Sequence, residues 1–395
     1  MRLDADEMLA AAISATGLAD WGDFDVEGPF RVLVRALNEE AGLHPRGREA
    51  AHARLSTALA NRLRTVTHLA RRPSATVASV TRPIFIPGLP RSGTTLLLNL
   101  LSCDVTMRSL HMWECMQPIP PVPAGSGEAE RRVAAVEAAL ELQGFLEPEV
   151  RAIHPFGPRL AEECIFLCEQ IMTYTPYAAF WNVPSYAALG ASADYTAVFA
   201  FHKSMLQVLQ GERAGARWVL KAPTHMLHIR EILSVYPDAV FIQTHRDPAQ
   251  VIPSLAKLFV VLRRLFSDRA GNFGLAEAAR ANLSTWASGL AGMMTARADA
   301  AVDDRFVDVH YTRLVSDPLG TLAGVYESLG LELSPDTEAA MAGWLADNHR
   351  TRHGVHSYSL ADCGLSVNEI DGAFGDYLHR FEVALEAERE DGNRH

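Results

Sequence analysis

Apolar residues recur at three- and four-residue intervals from about Ala5 to Arg72, which predicts a run of helices. Gly17 and Gly42 mark helix ends and Pro73 stops the last helix. We expect a helical extension over residues 1–80 and one compact unit over 81–395. Beyond it the pattern changes: short apolar runs alternate with helical stretches. Pro83–Pro87 predicts a strand, and Gly93–Ser102 the helix behind it. RWVLKAPTHMLHIREILSVYP and AVFIQTHRDPAQVIPSLAKLFVVL predict two more strand–turn–helix units. RFVDVHY before DPLGTLAGVYESLGL predicts a fourth. The fold class is therefore α/β, a P-loop-type doubly wound parallel sheet flanked by helices, with ligands at the carboxyl ends of the strands. Between these units lie a stiff Pro118–Pro123 connector, an amphipathic helix EAERRVAAVEAALELQGFL and a helix over Ala161–Met172. The Tyr-, Phe- and Trp-rich stretch Thr175–Leu189 is expected to line an apolar pocket.

Composition narrows the function classes. Of 395 residues 48% are hydrophobic and 21% charged, enough for a sizeable core. A net charge of −11 argues against nucleic-acid binding, whose affinity rests on phosphate contacts. The five cysteines are unclustered, and the fifteen histidines lack HExxH or other ligand spacing, so no metal is expected. MRLDADEMLAAAISATG has acids where a secretion signal has a basic start, and no run approaches a membrane span. The expected setting is the cytoplasm.

The chemistry gathers after the first strand, in IFIPGLPRSGTTLLLNLL, Ile84–Leu101. Gly88 and Gly93 bracket a four-residue gap and Thr94 and Thr95 follow, the frame of a P-loop. Backbone N–H groups and a helix N-terminus converge there on one point, an anion site suited to phosphate. A nucleotide triphosphatase would place lysine where Thr94 stands. Here the cation is Arg91, inside the loop, so the site suits a phosphate but not triphosphate hydrolysis.

GLPRSGTT after strand one, LKAPTH after the next and HRDPAQVIPS after the third together resemble the sulfotransferases that use 3′-phosphoadenosine 5′-phosphosulfate. The branch is that of the tyrosylprotein-type and bacterial small-molecule enzymes, and the resemblance runs from roughly Ile84 to Asp268. It implies that the loop Gly88, Pro90, Arg91, Ser92, Gly93, Thr94, Thr95 holds the 5′-phosphosulfate, with Arg91 neutralising the sulfonate. Arg246 and Ser254 would clamp the 3′-phosphate. Lys221 would stabilise the leaving oxygen. A general base must then take the acceptor's proton, and three candidates stay open: Glu114, His154 and His225. Glu162 and Glu163 read instead as helix-end acids, since neighbours on a helix point about 100° apart. His353, His356 and Tyr358 are candidates to close over the nucleotide. The donor needs no metal.

The acceptor is expected to be a small molecule, lipid-like or polyketide-like, because Tyr174–Tyr186 and Leu258–Phe266 suggest a greasy pocket. A P-loop kinase or nucleotide hydrolase and a catalytically silent scaffold are the rival readings.

Overall fold

The computed structural model describes residues 2–72, 78–190, 192–211, 216–268, 274–298, 302–348 and 359–386; His353, His356 and Tyr358 lie outside them. Its centre is a parallel sheet of β1 (Ile84–Ile86), β2 (Met107–Arg108), β3 (Arg217–Lys221), β4 (Val240–His245) and β5 (Phe306–His310), in the order β2-β3-β1-β4-β5. β1 is shorter than expected because prolines flank it. Pro83 and Pro87 have no N–H to give, yet their carbonyls accept from Val240 and Thr244 at 3.1 and 3.3 Å. β2, two residues at the edge, is too short to leave a period in the sequence.

Alternation along β1 sends Phe85 to one face of the sheet and Ile84 and Ile86 to the other. Ile84 and Ile86 pack with Leu97, Leu101, Val219, Ile242 and Leu322. Phe85 joins the larger core, which also takes in Phe30, Leu33, Leu37, Leu55, Leu59 and Leu63 from the N-terminal helices Glu27–Glu39 and Pro45–Arg71. A buried ion pair ties the same region inward. Arg54, 5% exposed, grips Glu169 with two nitrogens and lies 4.7 Å over the Phe180 ring.

Two expectations need correction. The aromatic stretch does not line an open pocket. Tyr177, Phe180, Trp181 and Tyr186 are buried and pack with one another and with Phe145 and Phe266. Leu258, Val261, Leu262 and Phe266 are buried as well. Large aromatic rings gain most by filling the core, and here they do. The helix expected over Ala161–Met172 begins only at Cys164, because a bridge between His111 and Ala161 and the Glu162 N–H to Leu110 carbonyl bond keep 161–163 extended. No described helix is long and apolar enough to cross a membrane.

Gly47 marks where the helix Pro45–Arg71 presses closest on the rest. A Cβ there would stand 1.9 Å from the Phe266 carbonyl oxygen. Gly47→Ala should therefore cost about 1–3 kcal/mol, the usual toll of overpacking, read as a lowered thermal midpoint beside an exposed-site control such as Ala10→Ser.

Candidate functional site

The loop after β1 is built by close approach. Gly88 has φ 152° and bridges Thr244 of β4; a Cβ on it would meet the Thr244 Oγ1 at 2.3 Å and its carbonyl at 2.9 Å. Ser92 closes the loop from inside, its hydroxyl bonded to the Leu89 carbonyl and 2.5 Å from Thr244 Oγ1. The Ser92 hydroxyl is thus a brace between loop and sheet. Gly93, at φ 91°, caps the helix Thr94–Leu101, whose first N–H groups have no acceptor within the helix. Arg91 itself takes φ 66°, a conformation unusual for a side-chain-bearing residue.

That twist aims Arg91 across the sheet edge. Its Nε donates to Ser254 Oγ at 3.1 Å and its Nη1 to the Ile153 carbonyl at 2.8 Å. Ser254 stands on the helix Pro248–Arg264, opened by Pro248 and capped by Asp247, whose carboxylate accepts from the Ala249 N–H. Arg246, at the end of β4, donates from Nη1 to the Arg91 carbonyl at 2.6 Å and lies 3.9 Å from the Tyr311 ring centre. Arg91, Ser254 and Arg246 are brought together, with Ser254 on Arg91 rather than on Arg246. The carboxylate on Arg246 is not Asp247 but Glu386, which takes its Nε and Nη2 at 2.8 and 3.0 Å.

Lys221 ends β3, in register with Ile86 and 2% exposed. Its Nζ donates to Glu163 Oε1 at 2.6 Å. Around this pair the chain gathers His154, Glu162 and Glu163, whose polar atoms lie within 4.8 Å of one another. Burial drives the His154 imidazole down to about 3, helped by Lys221 and Arg91, so the ring is neutral at physiological pH. Its Nδ1 is buried with no hydrogen-bond partner among the described residues. Burial likewise pushes the Glu162 carboxyl up to about 8, against the pull of Lys221. Glu162 accepts from the Glu163 N–H at 2.9 Å. The three side chains offer metal-ligand atoms, but an ammonium on Glu163 and a guanidinium beside His154 oppose a cation there.

The other two base candidates stand elsewhere. Glu114 is spent on structure: it accepts from Arg108 Nη2 at 2.7 Å and from the His111 N–H, closing a capping box on the short helix Met112–Met116. Although desolvation opposes ionisation, His111 and Arg108 hold its carboxyl below the usual range. His225 is fully buried against Phe85 and Phe199, its pKa driven well below that of free histidine by that burial. A helix over 161–172 would hide Glu163, since it turns the neighbouring Glu162 and Glu163 apart. The adjacent pair was the available signal, and the bridge that straightens 161–163 is a tertiary contact.

Residues 83–335 match the profile of the Sulfotransferase family. The chain is a member of that family. It is 32% identical to the sulfotransferase STF1 of Mycobacterium tuberculosis, whose crystal structure superposes with a TM-score of 0.81 over 95% of this chain and 99% of that one. The sulfotransferase STF9 of Mycobacterium avium is 29% identical, with a TM-score of 0.87 over 97% and 98%. The omega-hydroxy-beta-dihydromenaquinone-9 sulfotransferase Stf3 of Mycobacterium bovis is 28% identical over 310 residues, 76% of this chain and 74% of that protein. This sulfotransferase is accordingly an enzyme of sulfuryl transfer, with the family's donor 3′-phosphoadenosine 5′-phosphosulfate. The kinase and silent-scaffold readings are not favoured.

The Glu162 carboxyl gives a signed pH dependence. Its folded value lies near 8, above an ordinary glutamate, so its contribution is full below about pH 4.5 and is lost as pH rises toward about 8. Glu162→Gln should flatten that fall. The variant should melt above the parent at pH 8, and the gap should close at pH 5.

Proposed function

We propose that this sulfotransferase moves a sulfuryl group from 3′-phosphoadenosine 5′-phosphosulfate, without a metal, to the hydroxyl of a lipid-like acceptor. The observation that carries the reading is the meeting, at one sheet edge, of Arg91 and Lys221 with Glu163 and His154. The bound donor would supply the sulfuryl group. Gly88, Pro90, Arg91, Ser92, Gly93, Thr94 and Thr95 form the loop that receives its 5′ end. Arg246, with Ser254 steadying Arg91, serves the 3′-phosphate, since a guanidinium fork binds phosphate through two nitrogens.

Arg91 and Lys221 are cations in a water-poor edge, where charge stabilisation is worth most. Arg91 meets the charge on the moving group and Lys221 the charge left on the departing oxygen. The acceptor's O–H proton passes to the Glu163 carboxylate. Glu163 is more exposed than Glu162, which holds its own proton and braces the Glu163 backbone. Neutral His154 orients the hydroxyl. Glu114 keeps a structural part.

The lipid-like acceptor rests on the likeness to Stf3, since the aromatic residues first read as its pocket are core. We read residues 1–80 as a helical extension packed on the unit 81–395. All five cysteines are free thiols, which suits a cytoplasmic protein.

Calorimetric titration in EDTA should find 3′-phosphoadenosine 5′-phosphate bound in preference to ATP and ADP. A preference for ATP that needs magnesium would overturn the reading. Glu163→Gln should lower turnover by roughly two to four orders of magnitude with bisphosphate affinity nearly unchanged. Glu114→Gln should lower the thermal midpoint and leave turnover of the folded fraction within a few-fold. The reverse pattern would return the base to Glu114. An acceptor screen with labelled donor should favour long-chain hydroxylated quinones over simple phenols.

A further inference from the structure

The carboxylate of Glu386 sits where an anionic ligand of Arg246 would sit. Its two oxygens take the Nε and Nη2 edge of the guanidinium at 2.8 and 3.0 Å, the same two-pronged contact a phosphate makes. The remaining sides of Arg246 are also engaged: Nη1 on the Arg91 carbonyl, and the Tyr311 ring 3.9 Å from the guanidinium carbon. A second anion can use the Nε and Nη2 edge only by displacing Glu386.

The placement is built rather than casual. After the helix Val367–Arg380, Phe381 stacks on His245 with ring centres 4.4 Å apart, and Val383 is buried. The Glu386 N–H then donates to the second carboxylate oxygen of Asp247 at 3.1 Å. Tyr377 completes the tie, its hydroxyl accepting from the Arg246 N–H at 3.2 Å. Both partners of the ion pair are largely shielded, with side chains 16% and 18% exposed. The tail is thus led along the end of β4 until its carboxylate meets the arginine.

We propose that Glu386 is an internal competitor for the donor's 3′-phosphate. It sets donor affinity by making 3′-phosphate binding conditional on release of the C-terminal tail. The inference rests on the reading of Arg246 as the 3′-phosphate ligand. A nucleotide without that phosphate leaves the Arg246–Glu386 pair intact and gains nothing from its removal.

The test is calorimetric titration of the full-length protein and its Glu386→Gln variant with 3′-phosphoadenosine 5′-phosphate and with 5′-AMP. The variant should bind the bisphosphate roughly tenfold more tightly, about 1.4 kcal/mol, and 5′-AMP as the parent does. Its thermal midpoint should stay near the parent's, which separates the effect from misfolding. Bisphosphate affinity that is unchanged or weaker would overturn the proposal, the latter making Glu386 a residue that positions Arg246. Arg246→Ala separates the two layers. If it weakens the bisphosphate while Glu386→Gln changes nothing, only the competitor fails; if it leaves the bisphosphate unaffected, the assignment of Arg246 fails and takes the competitor with it.

Discussion

The contact on which the catalytic edge depends is the approach of Gly88 to Thr244. Backbone lies against backbone there because no side chain intervenes, and the Ser92 hydroxyl locks the same threonine from the other side. The loop is thereby held level with the carboxyl end of β4. The Arg91 contacts start from that level. Arg91 leaves the loop in a left-handed conformation, its carbonyl receives Arg246, and its guanidinium crosses to Ser254 and Ile153. A phosphate-binding turn is useful only if its donors are fixed before the ligand arrives, and here the sheet supplies the fixing.

Charge at this edge is interleaved rather than massed. Lys221 has Glu163, Arg246 has Glu386, and Arg91 rests on a carbonyl and a hydroxyl. A protein that carries a net −11 keeps a cationic pocket this way without leaving bare buried charge. Neutral His154 and protonated Glu162 reduce the count further, since both give up their charge to burial. The chain as a whole repels anions, while one edge of one sheet gathers Arg91, Lys221 and Arg246.

Much of this was legible in the residues alone. Strand–turn–helix units repeated at the right spacing gave the parallel sheet, and the flanking glycines with Arg91 gave the loop. Local signals served there because the geometry is itself local: a turn needs its glycines, and a helix opened by Asp247-Pro248 announces itself. What escaped was set by contacts distant in sequence. Glu163 could not be placed until the bridge from His111 to Ala161 straightened its segment. Glu114 carried the chemistry of a base but was claimed by Arg108 and His111. The aromatic stretch Tyr174–Tyr186 has the composition of a pocket wall and the burial of a core, and composition alone does not separate the two. Glu386 gave no signal at all, being an acid among the many of an acidic tail.

The central place of β1 bears on how the molecule is made. Ile84 and Phe85 hydrogen-bond on one side to the strand holding Val219 and Leu220, and on the other to the strand holding Val240 and Phe241. During synthesis β1 leaves the ribosome long before either neighbour exists. Closing so long a stretch of chain delays its pairing. The most apolar strand of the sheet therefore waits through about a third of translation, from Ile86 to the start of β3 at Arg217, and the nascent chain needs shelter for that interval. The N-terminal helices, already synthesised and rich in leucine, are the nearest surface on which it can wait.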